Sequence, residues 1–186
     1  YMKIPVGVSA RHVHLTKEIF NKLFGTDDLT IKVPINQPGL YAANETVTIK
    51  GPKGEISNVR VMGPLRSYNQ VEVSKTDAYK LGVNPPMRKS GDVENAEVIT
   101  IIGPKDKVTL NSCILADRHI HISKEEADSL NIKDDQVIDV YINSSKPGMI
   151  RAQFKVTDNG YKEIHLDTDD ANAFLLNQND EVEINL

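Results

Sequence analysis

Arg11-His12-Val13-His14-Leu15-Thr16-Lys17-Glu18 returns later in the chain as Arg118-His119-Ile120-His121-Ile122-Ser123-Lys124-Glu125, and this pair of stretches decides the reading of the fold. Five of the eight aligned positions are identical and the other three conservative, so one local unit is built twice. In each copy a short alternating run carrying His-x-His meets a hydroxyl residue suited to an N-cap, Thr16 or Ser123. Helical patterns follow over Lys17 to Phe24, ended by Gly25, and over Lys124 to Leu130, where Glu126 is placed for a capping box. Each copy reads as strand, cap, helix.

Working outward, strand patterns dominate. Glu45 to Lys50 alternates polar and apolar, Gly51-Pro52-Lys53-Gly54 supplies a turn, and Ile56 to Met62 alternates again, which predicts a hairpin. Val98 to Ile102, Gly103-Pro104-Lys105-Asp106 and Val108 to Leu110 predict a second one. Neither Gly-Pro-Lys turn is followed by a helix, so neither reads as a phosphate-cradling loop. Gln136 to Ile142, Met149 to Val156, Lys162 to Leu166 and Glu181 to Leu186 are further short strands. Two more helices are expected after Thr76, over Asp77 to Leu81 with Gly82 as the stop, and after Thr168, over Asp169 to Leu176. Many short strands in regular succession argue for a mainly β protein, barrel or sandwich. A first domain is expected over residues 11–116 and a second over 117–186, completed by an N-terminal strand in 1–10.

The later helices extend the repeat. Superposing Asp77-Ala78 on Asp170-Ala171 sets Glu72 on His165. Each half then offers a His-x-His pair and one further metal-competent residue: His12, His14 and Glu72, against His119, His121 and His165. The first and third members are 60 residues apart in one half and 46 in the other, a difference that surface insertions accommodate at small entropic cost.

Composition bounds the function. The chain has 186 residues, 39% of them hydrophobic and 26% charged, with a net charge of −4 and no run of five basic residues. This excludes the electrostatic footprint of a general nucleic-acid binder. The longest apolar runs are strand-sized, far short of the roughly 20 residues a membrane-spanning helix needs. No signal-peptide pattern opens the sequence and Cys113 is the only cysteine, so a reducing, cytoplasmic setting is expected. A lone cysteine of this kind is more often a small buried hydrophobe than a nucleophile.

Residues two apart on a strand face the same way, so His-x-His aims two imidazoles at one point. One such pair alone is ambiguous with a partly exposed polar face. Two pairs that take four of the five histidines favour metal. Three protein ligands leave a fourth position for water or substrate, the arrangement of catalytic rather than structural zinc sites. Zinc is the default, with nickel, cobalt and iron open to the same donors. Arg11 and Arg118 alternate to the opposite strand face and read as ion-pair partners. Arg66, six residues before Glu72 at a turn, suits either a bidentate grip on phosphate or a surface salt bridge.

The ordered motifs Arg-His-x-His, Gln37-Pro38-Gly39-Leu40-Tyr41-Ala42 with Glu45-Thr46-Val47, Gly63-Pro64-x-Arg66 with Gln70-Val71-Glu72, Thr76-Asp77-Ala78, Ser90-Gly91-Asp92 and His165-Leu166-Asp167-Thr168-Asp169-x-Ala171-Asn172-Ala173 span nearly the whole chain. Together they resemble the phosphotransacylases of the propanediol-utilisation L type, the phosphate propanoyltransferases. The resemblance implies two tandem small β-barrel domains capped by short α-helices, with the active site between them. It implies interconversion of a short acyl-CoA and phosphate with an acyl phosphate and CoA, using two zinc ions. His12, His14 and Glu72 would hold the zinc that meets the CoA sulfur, and His119, His121 and His165 the other, completed by water or phosphate. Arg66 matches the family's phosphate-binding, catalytically required arginine. Arg88, beside Ser90-Gly91-Asp92, is the candidate for the CoA nucleotide. Two rival readings fit the same residues: a two-metal hydrolase of a phosphate ester or thioester, and a non-catalytic metal-binding module. Microcompartment-targeted members carry an N-terminal helical extension, which is not seen before the first strand here. The expectation is a cytoplasmic enzyme, encapsulated if such an extension has been removed, with homo-oligomerisation and shell association left open.

Overall fold

The computed structural model describes residues 1–186. Its elements are β1 (Met2–Ser9), β2 (His12–His14), α1 (Lys17–Phe24), β3 (Ile31–Pro34), β4 (Tyr41–Lys50), β5 (Glu55–Gly63), β6 (Gln70–Glu72) and α2 (Lys75–Leu81). There follow β7 (Met87–Arg88), β8 (Glu97–Ile102), β9 (Lys107–Ala116), β10 (His119–Ser123), α3 (Lys124–Ser129) and β11 (Val137–Ile142). The chain ends with β12 (Gly148–Thr157), β13 (Glu163–Asp167), α4 (Thr168–Ala173) and β14 (Glu181–Ile184). No helix is long and apolar enough to cross a membrane.

Two compact units form, one from residues 11–116 and one from residues 1–10 with 117–186. In the first, hydrogen-bonded neighbours run β4, β5, β2, β6, β9, β8 and back to β4, a closed six-strand barrel. β3 and β7 are short additions to β4 and β9. In the second, the circuit is β11, β12, β10, β13, β1, β14 and back to β11. The two circuits match step by step: β5 with β2 and β12 with β10 are parallel, as are β6 with β9 and β13 with β1, and the remaining pairs are antiparallel. The fold is thus two small β-barrels, mainly β, with four short helices. Closure pairs strand edges that an open sheet would leave exposed.

The register carries the repeat further than the histidine motif. Val71 pairs with Cys113 in one unit as Ile164 pairs with Val6 in the other. β1 and β9 are therefore equivalent, each leading directly into a His-x-His strand. β1 nevertheless belongs to the unit of β10, and β9 to the unit of β2. The first strand of each repeat closes the barrel formed by the other repeat.

Alternation along the strands fills each barrel. On β12, Ile150, Ala152 and Phe154 point inward while Met149 and Arg151 face solvent. They join Ile4 and Val6 of β1, Ile120, Ile164 and Ile184 in one core. The other core gathers Val13, Val61, Val71, Ile99 and Ile101 with Phe20 and Leu23 of α1. Burying such a side chain contributes about 1.5 to 3 kcal/mol each.

The helix starts are set by caps. Thr16 and Ser123 accept from the backbone N–H of Ile19 and Glu126, as their positions predict, and Gly25 ends α1 at φ 74°. Glu126, expected to complete a capping box, turns its carboxylate to Lys162 at 2.7 Å instead. α2 starts earlier than expected, because Ser74 and Asp77 form a reciprocal capping box that takes precedence over Thr76. Likewise Asp167, not Thr168, caps α4, which ends at Ala173 with Leu175 in the left-handed region. β3 and β7 are strands that the sequence pattern does not announce.

Candidate functional site

In the unit of residues 1–10 and 117–186, β10 carries His119 and His121 two residues apart on one face. β13 runs antiparallel beside it and places His165 directly opposite His119. The three rings lie 4.7, 5.0 and 4.5 Å apart between centroids, each pair edge to face. One ligand atom from each lies within 4.8 Å of the others, so these three residues could hold a metal ion. His119 Nε2 and His121 Nε2 are 3.1 Å apart.

The protonation states fit a metal. His119 Nδ1 is 3.0 Å from the Asp117 carbonyl oxygen, which only accepts, so Nδ1 carries the proton and Nε2 presents its lone pair inward. Burial, reinforced by His165, lowers the His119 pKa to about 4. Burial, with His165 and His119, lowers that of His121 to about 2. Both imidazoles are neutral at pH 7, the form that coordinates. Three imidazoles are a donor set suited to a divalent transition metal with a fourth position open. Lys155 sits opposite His121 on β12, and its positive charge pushes both histidines in the same direction.

Glu163 makes a contact that no sequence motif announces. It lies opposite His121, is buried, and its Oε1 is 2.6 Å from His165 Nε2. Gly7 of β1 makes room for it, since a Cβ there would stand 2.9 Å from the Glu163 carboxyl and 3.1 Å from His165 Cδ2. The signal was available: Glu163-Ile164-His165 has the same two-residue spacing as the histidine pairs, and in the repeat Glu163 falls on Gln70.

In the unit of residues 11–116, β2 presents His12 and His14, their rings 5.1 Å apart and perpendicular. β6 sets Glu72 directly opposite His12, the register that His165 has with His119. His12 Nε2 is 3.4 Å from Glu72 Oε2, and both His14 and Glu72 are buried. This set is looser than its counterpart: only the three histidines of the other unit bring three ligand atoms within 4.8 Å.

Arg66 stands beside it, tied to the residue that follows β2 by a bond from its backbone N–H to the Leu15 carbonyl at 2.8 Å. Its guanidinium Nη1 donates to the Tyr68 hydroxyl at 3.3 Å, and the Tyr68 ring is 6.3 Å from that of His14. Arg66 Nε is buried with no hydrogen-bond partner. A buried cationic donor left in this state is suited to an incoming anion. Gln70, fully buried, secures the neighbouring loop with both ends of its amide: Nε2 donates to Ser90 Oγ at 3.2 Å, and Oε1 accepts from Gly91 N–H at 2.8 Å. Arg88 turns Nε to the Glu94 carbonyl and Nη1 to that of Met87, at 3.0 and 2.8 Å, holding the same loop together.

Arg11 and Arg118 do make ion pairs, and they are equivalent ones. Arg11 meets Asp77 at 3.1 Å and Arg118 grips Asp170 with two bonds of 2.8 Å. Each ties the start of a His-x-His strand to the helix after the third candidate ligand. Cys113 is buried, and burial, with the nearby Glu97 and Asp77 carboxylates, pushes its thiol up to about 12. It is no nucleophile at neutral pH.

Residues 5–177 match the family model of phosphate propanoyltransferase. The chain belongs to the phosphate propanoyltransferase family. A phosphate propanoyltransferase of Thermotoga maritima is 48% identical over 185 residues, covering 97% of this chain and 88% of the relative. One from Priestia megaterium is 46% identical over 180 residues, with 95% and 83% covered. A third, from Salmonella typhimurium, is 42% identical over 173 residues, with 91% and 82% covered. As a member of this family the chain is an enzyme, a phosphate acyltransferase. The match encloses both His-x-His strands, Arg66, Glu72 and His165.

Proposed function

We propose that the enzyme moves a short acyl group, propionyl or acetyl, reversibly between coenzyme A and phosphate, with one zinc ion held by His12, His14 and Glu72 and a second by His119, His121 and His165. The observation that carries this reading is the equivalence of the two sets. Glu72 and His165 occupy the same register position against β2 and β10, so each barrel offers three donors at one place in its fold. In the forward direction a phosphate oxygen bonds to the thioester carbon, the carbon–sulfur bond breaks, and CoA leaves as a thiolate. Zinc bound at such sets supplies Lewis acidity, which stabilises a thiolate and polarises a carbonyl.

The remaining work falls to side chains. Arg66 receives phosphate on the nitrogens that Tyr68 does not occupy, Nε among them. Fixing a weak nucleophile in line with its target is worth up to roughly 7 to 11 kcal/mol of barrier when alignment is good. Tyr68 steadies the guanidinium, and Gln70 fixes the Ser90-Gly91 loop. His119 and His121 remain unprotonated and available as donors down to acidic pH. No acyl-enzyme is required, in keeping with the inert Cys113. For the CoA nucleotide Arg88 has only its second terminal nitrogen outside the bonds to Glu94 and Met87, a modest contact.

Arg66→Ala tests the assignment. Phosphate-dependent thiol release from propionyl-CoA should fall by at least a hundredfold, with zinc content and melting temperature unchanged. Loss of zinc in that variant would give Arg66 a structural role and overturn the phosphate assignment.

A further inference from the structure

We propose that Glu163 is a positioning residue for the metal site of His119, His121 and His165: its carboxylate accepts a hydrogen bond from His165 Nε2–H and so turns Nδ1 toward the ion. This rests on the metal reading of those three histidines.

The contact is short and enclosed. Oε1 of Glu163 is 2.6 Å from His165 Nε2, and the residue is only 4% exposed. Yet Glu163 is not one of the residues whose ligand atoms cluster within 4.8 Å. It lies outside that group of three, in contact with His165. A carboxylate in that place holds the imidazole in one tautomer and raises the basicity of its opposite nitrogen. His119 is treated in the same way by the Asp117 carbonyl, which fixes its proton on Nδ1. Two of the three histidines thus have an outer nitrogen occupied by an acceptor. The two acceptors leave different nitrogens for the metal, Nε2 on His119 and Nδ1 on His165. β1 is shaped to allow it, since any side chain at Gly7 would collide with the Glu163 carboxyl.

Comparison of the barrels gives the contact a purpose. Opposite His12 stands Glu72 and opposite His14 the neutral Gln70; opposite His119 stands His165 and opposite His121 the acidic Glu163. Each barrel keeps one buried carboxylate against its histidines, displaced by two residues along equivalent strands. In the first barrel it is one of the candidate donors. In the second it acts through a histidine, leaving three imidazole donors with a carboxylate one contact away.

The test is zinc titration against a competing chelator, followed through the imidazole nitrogen resonances so that each set is read separately. In Glu163→Gln the affinity of the His119, His121 and His165 set should weaken about ten- to a hundredfold. The other set should keep its affinity, and the metal-free variant should melt no lower than the metal-free wild type. In zinc-loaded wild type, His165 should coordinate through Nδ1 with a proton on Nε2, and His119 through Nε2, a readout that needs no variant. Unchanged affinity in Glu163→Gln, or His165 coordinating through Nε2, overturns the role of Glu163 while leaving the metal site standing. Wild-type protein that takes no metal at this set overturns the site itself and the inference with it.

Discussion

Acidifying the metal-free protein should expose the cost of two imidazoles, His119 and His121, that burial holds neutral. His119 takes a proton near pH 6.5 when unfolded but only near pH 4 when folded, because burial and His165 oppose its charge. Between those values the unfolded chain binds more protons than the native one. Stability is therefore full above pH 6.5 and falls as the pH drops toward 4. The slope approaches about 1.4 kcal/mol per pH unit for one histidine, and the interval amounts to about 3 kcal/mol for His119. His121, depressed further, adds in the same direction. Asp167 works the other way, since burial raises its carboxyl and the native state takes that proton first, so a control must retain it. The assay is urea unfolding with a chelator present, from pH 7.5 to 4.5, on the wild type and on a His119→Gln, His121→Gln double variant. The gap between the two should shift in favour of the variant as the pH falls, by at least 2 kcal/mol over the range. A gap that stays flat refutes the electrostatic account of this cluster.

Asp77→Ala removes the bond to the Ser74 N–H at 3.2 Å and the ion pair with Arg11 at 3.1 Å, and should cost the first barrel about 1 to 2 kcal/mol in chemical unfolding. Zinc affinity at His119, His121 and His165 should be unaffected. Deleting residues 1–10 removes the strand that pairs with both β13 and β14. Amide hydrogens of β10 to β14 should then lose protection while those of β4 and β5 keep it, a pattern that hydrogen exchange would read directly.

Much of this fold is written in local pattern. The alternation over Glu45 to Lys50 and Val98 to Ile102 yields strands where it predicts them, and Thr16, Gly25 and Ser123 set helix ends because a cap needs only its immediate neighbours. The caps of α2 and α4 misread for a physical reason. Thr76 and Thr168 are plausible caps, but Ser74 and Asp167 each have an aspartate three residues on, Asp77 and Asp170. Asp77 answers Ser74 with its own carboxylate, while Asp170 donates its backbone N–H to Asp167 and turns its side chain to Arg118. β3 is missed because the alternation of Ile31, Lys32 and Val33 is too short to read and stops at Pro34, and all four residues are exposed. At the site, the histidine pairs and Glu72 are legible from the repeat. The Asp117 carbonyl is not, since a backbone acceptor leaves no trace in residue type. Glu163 lies between: its type and spacing are visible, but its contact with His165 needs the strand face and the absence of a side chain at Gly7.

The central claim is that thioester cleavage here is transfer to phosphate. It is tested most directly by following thiol release from propionyl-CoA with zinc-loaded protein, with and without inorganic phosphate. The account predicts release that saturates with phosphate, yields propionyl phosphate in equal amount, and stops when phosphate is left out. Release that proceeds at the same rate without phosphate, giving free propionate, would contradict it.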